Sequence, residues 1–302
     1  MFSGDDALVE VAWTAVVLPS GLATLRVVGD DILIASGAGV SQFSASSGTS
    51  RWPQIQLPSD VLNLAYSGTD RLFSIGFNEL TGVDIGSGAL LWSRSLLDDL
   101  SDVSDRAIAA NADRLAVGGL PVRLLDTESG IVLGEGSSGG AMVTAVAYAG
   151  SLLLVGDNEG VRALDSSTLA FSWVTDEVPF VDRFAVSSGG VLVSSLGEGL
   201  FLLDLDSGEV LASAEPGEVF RDVAASGDLF FAARSDGTLL AFDGNLDEVW
   251  RVTGDSDFGG LSSSAETVYY ARGAGVEALT AVAGDLLWSR DFSGSVAGLA
   301  AL

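Results

Sequence analysis

The chain contains no cysteine, no histidine and no lysine. Without cysteine there is no disulfide, no thiol nucleophile and no cysteine-ligated metal, and the redox compartment is left open. Without histidine there is no Ser-His-Asp triad and no imidazole base. Without lysine there is no Schiff base, and a zinc site of His and Cys is excluded. Carboxylates, Tyr, Ser and Arg remain for chemistry, with Ca²⁺ or Mg²⁺ as the metals their oxygens suit. Long apolar runs are also missing. Stretches such as Ile32-Leu33-Ile34-Ala35 and Leu152-Leu153-Leu154-Val155 are far shorter than the ~18 residues a membrane-spanning helix needs. Residues 8–20 are apolar, but Asp5 and Asp6 precede them where a secretory signal carries basic residues.

Positive charge is scarce. Fourteen Arg face 41 Asp and Glu, for a formal net charge of −27. A surface of this sign repels phosphate backbones and anionic membranes, which argues against nucleic acid as a partner. It keeps copies of the chain apart, so a monomer is expected, and it strains the compact state by self-repulsion that salt relieves. Acidic, lysine-free chains resemble proteins of salt-adapted microbes; an ordinary acidic surface is the alternative.

What is present is a repeat. Trp13, Trp52, Trp92, Trp173, Trp250 and Trp288 are spaced by 39, 40, 81, 77 and 38 residues. The two long gaps are close to two periods. Halving them leads to Gly134 and Ala212, which close Ser129-Gly130-Ile131-Val132-Leu133 and Ser207-Gly208-Glu209-Val210-Leu211, in the same frame as Ser87-Gly88-Ala89-Leu90-Leu91-Trp92. A fixed period of this length signals a repeat architecture. Each unit reads as four short strands, A to D. Strand A is small and apolar, as in residues 183–186. Strand B is a β-rich run such as Leu72 to Gly76 or Leu229 to Ala233. Strand C ends near Asp84, Asp126, Asp165, Asp204 or Asp243, and strand D ends in the Trp. Short β-branched and aromatic runs bounded by Gly, Asp and Ser are strands joined by tight turns. No segment shows a sustained helical period. Strands apolar on both faces need a sheet on either side, which the stacked blades of a ring provide.

The C–D segments resemble the PQQ-like propeller repeat, roughly G-x-L-Y-A-L-D-x-x-T-G-x-x-L-W. Examples are Glu198-Gly199-Leu200-Phe201-Leu202-Leu203-Asp204-Leu205-Asp206-Ser207-Gly208-Glu209-Val210-Leu211 and Asp236-Gly237-Thr238-Leu239-Leu240-Ala241-Phe242-Asp243. The fold class expected is therefore all-β, a β-propeller of four-stranded antiparallel blades forming one domain over residues 1–302. Seven complete repeats follow an N-terminal D strand that ends at Trp13. Residues 296–302 read as the A strand of an eighth blade whose B and C strands are missing. An eight-bladed parent cut short is one reading of this count, and a seven-bladed ring with two spare strands is the other.

The resemblance implies that the D-strand Trp residues dock between adjacent blades, with Gly134 and Ala212 marking the weakest joints. Quinone dehydrogenases of this family stack their cofactor against a vicinal-cysteine disulfide, which this chain cannot form. Relatives also include an outer-membrane assembly scaffold, whose lipid-bearing cysteine is absent here, and extracellular sensor domains. The expected function is a non-catalytic platform that binds other proteins or a small ligand at a propeller face or the channel, outside the cytoplasm. The alternative is an enzyme, quinone-dependent or built on carboxylates and acting on carbohydrate. No cofactor is expected beyond a weak Ca²⁺ site at Asp204 and Asp206, whose alternating carboxylates faintly resemble a calcium loop. The acidic cluster Asp98, Asp99, Asp102 and Asp105, and the pair Asp255 and Asp257, read as solvated connections between blades.

Overall fold

Alternating apolar strands and tight turns leave each sheet with two faces to bury, and the chain solves this by stacking sheets around an axis. The computed structural model describes residues 23–28, 31–36, 39–44, 50–57, 61–96, 100, 107–254, 258–264, 266–272, 275–291 and 298–300. They form seven four-stranded antiparallel blades in a propeller arrangement, with no helix among them. Blades 1 to 7 span residues 23–56, 61–95, 108–136, 145–175, 181–214, 220–252 and 258–291. Within each blade the strands run A to D in chain order, from the axis outward. The seven complete repeats expected from the Trp spacing are all present. The segment ending at Trp13 lies outside the described residues.

The last described strand, Gly298–Ala300, takes a seat in the inner ring of A strands. It packs against strand A of blade 7, Phe258–Ser263, and pairs in parallel with strand A of blade 1, Ala23–Val28, through Leu25 opposite Leu299. An eighth A strand thus exists as the sequence suggests, and it is joined to blade 1 as a fifth strand.

The apolar core lies between blades. Six buried clusters are resolved, each drawn from one blade and its successor. Between blades 4 and 5, for example, Leu154, Val161 and Trp173 meet Val181, Val191 and Leu203. Burying both faces of every sheet this way is what a lone blade cannot do.

The D strands run two to four residues past their Trp, so Trp is not the strand end that the sequence suggested. Each Trp is instead set by a β-bulge. In every blade the C–D register slips one residue before the Trp position, at Arg51, Leu91, Leu133, Ser172, Leu211, Val249 and Leu287. A bulge re-aims the side chain that follows it, in blades 1, 2, 4 and 6 toward the next blade.

Candidate interaction face

The meander divides the loops between two faces. A–B and C–D turns lie on one; B–C turns and the D-to-A connections between blades lie on the other.

On the C–D face the turns of blades 2 to 6 are each held by an Asp, and in blade 7 Thr280 takes that place, its hydroxyl accepting the Asp285 amide at 3.0 Å. The Ser207 amide and hydroxyl and the Asp206 amide donate to Asp204 Oδ1, at 2.8, 2.7 and 3.1 Å. Ser129 with Asp126, Ser87 with Asp84, and Ser167 and Thr168 with Asp165 repeat the pattern. Hydrogen bonds from the neighbouring hydroxyl hold the Asp84, Asp126, Asp165 and Asp204 carboxyls below the ordinary aspartate range. At Asp243 the backbone amides of Asn245 and Asp247 do the same.

The same turns receive the Trp side chains. The indole N–H of Trp52, Trp92, Trp173 and Trp250 donates to Ile85 O, Thr127 O, Leu205 O and Ala281 O, at 2.7, 3.0, 2.9 and 2.9 Å. Each acceptor belongs to the C–D turn of the following blade. The ring lies flat against that turn's glycine: a Cβ at Gly130 would sit 2.7 Å from Trp92 Cδ2, and its φ of +67° is one that glycine adopts without strain. Four of the six Trp residues are therefore inter-blade docks. Trp13 lies outside the described residues. Trp288 is 38% exposed and leans on Tyr269 of its own blade, ring centroids 6.2 Å apart.

Where the Trp is replaced, its receptor changes too. Opposite Gly134 the glycine position of the next C–D turn holds Leu169, and a Cβ at Gly136 would lie 3.2 Å from Leu169 Cβ. In the joint that contains Ala212 the next C–D turn supplies the buried Leu246. Both leucines hold positive φ, 60° and 62°. The joints that the sequence marks as weakest are thus filled from the opposite side.

Asp206 lines a cleft of about 360 Å³ between blades 4 and 5, with Ser151, Ser172, Ser187 and Leu205. Asp204 spends its Oδ1 on the turn. No cluster of three or more carboxylates that could hold a metal occurs among the described residues. Asp98, Asp99, Asp102, Asp105, Asp255 and Asp257 lie outside the described residues.

On the inner wall, burial raises the Asp222 carboxyl to about 6, against the opposing pull of Arg183. Its oxygens accept the Val223 amide at 3.0 Å and, across the blade joint, the Leu261 amide at 3.2 Å. Arg183 also donates to Asp182.

The B–C face is different in character. Phe77, Leu120, Met142, Phe180 and Leu196 are large apolar side chains left exposed in an arc across blades 2 to 5. They sit on B–C turns or D-to-A connections that are stitched together. The Phe180 amide donates to Asn158 O at 3.3 Å, and Phe180 O accepts the Leu196 amide at 2.9 Å. Ser195 donates its hydroxyl to Pro179 O. Held from both sides, Phe180 adopts φ of +52° with its ring half exposed. A non-glycine residue in this region is strained and persists only where its surroundings over-determine it. Beside it Asp157, fully buried, pairs with Arg162 and accepts the Glu159 and Gly160 amides. Arg162 lies so close under Gly139 that a Cβ there would overlap the guanidinium. The face carries exposed apolar groups on loops tied together by hydrogen bonds. Sequence reasoning missed it because a leucine or phenylalanine in a turn carries no periodic signal; Pro179-Phe180 beside the buried Val178 was the available hint.

Residues 176–295 match the sequence profile of the family described as outer membrane protein assembly factor BamB. No curated protein matches the chain. Among solved structures, BamB from Moraxella catarrhalis superposes with a TM-score of 0.66 at 18% identity, covering 83% of each chain. The computationally designed Ika8 protein gives 0.78 at 16% identity, over 93% of this chain and 90% of its own. Sqt1 of Saccharomyces cerevisiae gives 0.74 at 10% identity, over 91% and 86%. These likenesses bear out the PQQ-like propeller resemblance, and at such identities the structures speak for the fold.

Proposed function

We propose that this chain is a non-catalytic, monomeric protein-binding propeller that works outside the cytoplasm and engages its partner with the B–C face of blades 2 to 5. The observation that carries the reading is Phe180: an aromatic ring held half exposed by a strained, doubly tethered backbone, with Met142 and Leu196 exposed on the adjoining loops. Exposed apolar side chains on a rigid scaffold are the groups that binding sites use. The profile match to an assembly factor of the outer membrane supports both the scaffold role and the location. The enzyme alternative gains less support: the raised carboxyl of Asp222 is answered by Arg183 and two backbone amides.

The test is quantitative affinity capture from the source cells with the full chain and with Phe180→Asn/Leu196→Ser. Asn tolerates positive φ, so the variant keeps the backbone and removes the apolar surface. A partner recovered with the wild type and at least about tenfold depleted with the variant, some 1.4 kcal/mol, supports the reading. Equal recovery from both refutes it.

A further inference from the structure

The charges around Phe180 narrow what this face can accept. Deeper in the face, positive and negative groups cancel in pairs: Arg162 with Asp157, Arg183 with Asp182, and Arg123 with Glu135. Four carboxylates remain at the surface, on Glu159, Asp176, Glu177 and Glu198, all exposed. Glu159 reaches Arg162 at only 3.5 Å, and that cation is already engaged by Asp157. The backbone bonds that hold Phe180 also place these groups. Asn158, its amide's acceptor, adjoins Glu159; Leu196, its carbonyl's donor, belongs to the turn that carries Glu198. Asp176 packs against Gly160, so close that a Cβ on Gly160 would lie 3.1 Å from Asp176 Cα. Phe180 and Leu196 are thus apolar anchors on loops that also carry exposed carboxylates, of which Glu159 shares Arg162 with Asp157.

We propose that the occupant of this face is a partner segment with one or two large apolar side chains flanked by arginine or lysine. The inference rests on the reading of the face as a docking surface and adds the chemistry of what docks. Apolar side chains of the segment cover Phe180, Leu196 and Met142. Its cations meet Glu159, Asp176, Glu177 and Glu198. Rim charges of this kind govern the association rate and its salt dependence, while the apolar contacts set how long the complex lasts. The net charge of −27 on the whole chain acts in the same direction, drawing cationic segments in and turning anionic ones away.

The probe is a phage-displayed library of random peptides panned on the intact chain at about physiological salt, where the screening length is ~8 Å. Binders are then measured against wild type, Phe180→Asn, and a charge variant carrying Glu159→Gln, Asp176→Asn, Glu177→Gln and Glu198→Gln. Melting curves of all three establish that each is folded. The expected result is enrichment of peptides that pair a large apolar residue with Arg or Lys. Binding falls at least about tenfold with Phe180→Asn. It also weakens with the charge variant and as salt is raised. Peptides that need Phe180 but are neutral or acidic, or that ignore the charge variant, overturn the partner chemistry while leaving the docking face standing. Binders indifferent to Phe180, or no binders at all, overturn both.

Discussion

Single carboxylates in this chain do opposite things because their surroundings differ. Asp204 and its counterparts are acceptors for turn hydroxyls and amides, which stabilise the ionised form. Their folded-state pKa is depressed, so the stability they add is present above the unfolded value near 3.9 and is lost as pH falls through the folded one. Asp204→Ala is expected to lower the melting temperature at pH 7, and Asp206→Ala, which breaks no side-chain bond of the turn, to leave it nearly unchanged; thermal denaturation checks both. The weak Ca²⁺ site at Asp204 and Asp206 stays a proposal. Calorimetric titration tests it, and no heat at millimolar Ca²⁺ ends it. Asp222 has the opposite sign. Its carboxyl is raised to about 6 by burial, so its contribution is present below the unfolded value and is lost as pH rises through 6. Asp222→Asn is expected to gain on the wild type from pH 5 to pH 8, read as a narrowing or reversal of the melting-temperature difference. A difference that is constant with pH would show that Asp222 does not titrate in this window.

At the scale of the element, the unit is a joint made from one D strand and the next C–D turn. A bulge aims the Trp, a glycine lets the ring lie against the turn, and a carbonyl takes the indole proton. Trp92→Ala removes a buried ring and is expected to cost ~3–5 kcal/mol by chemical denaturation. Trp288→Ala removes a ring already 38% exposed and should cost clearly less. The swap of Trp–Gly for Gly–Leu gives a sharper test. Gly134→Trp forces a ring onto Leu169 and should destabilise by ~1–3 kcal/mol through overpacking. Adding Leu169→Gly rebuilds the pattern of the other joints and should recover most of that loss. A double-mutant cycle with no coupling would show that Leu169 does not occupy the place of the missing ring.

For the whole molecule, seven blades and a lone inner strand bury their apolar surface between neighbours while carrying a net charge of −27. Self-repulsion on that scale is screened within ~3 Å at 1 M salt. The melting temperature is therefore expected to rise from low to molar KCl. A flat or falling curve would show that charge repulsion does not limit stability, and would remove the support for salt adaptation. The period of about 39 residues made the blade count legible, since Trp, turn glycine and turn Asp recur together. The seating of Gly298–Ala300 beside blade 1 was only half legible. Its strand character lies in residues 296–302, but its parallel pairing depends on how the ring brings blade 7 round to blade 1.

Composition and period by themselves determined that the chain is all-β, that it is built of repeated four-stranded units, and that side-chain thiol, imidazole and lysine amine chemistry are absent. Those properties are local or arithmetic, and each repeat states them again. Only the tertiary structure decided the rest. Leu169 and Leu246 fill the joints that lack Trp because each faces a position about one repeat back in the chain. Phe180 stands exposed because two turns from neighbouring blades hold its backbone from either side. Glu159, Asp176, Glu177 and Glu198 stand on one face because the folded meander brings three separate loops together. Position within the repeat is not enough for any of these; each also depends on which repeats become neighbours and which face their loops share.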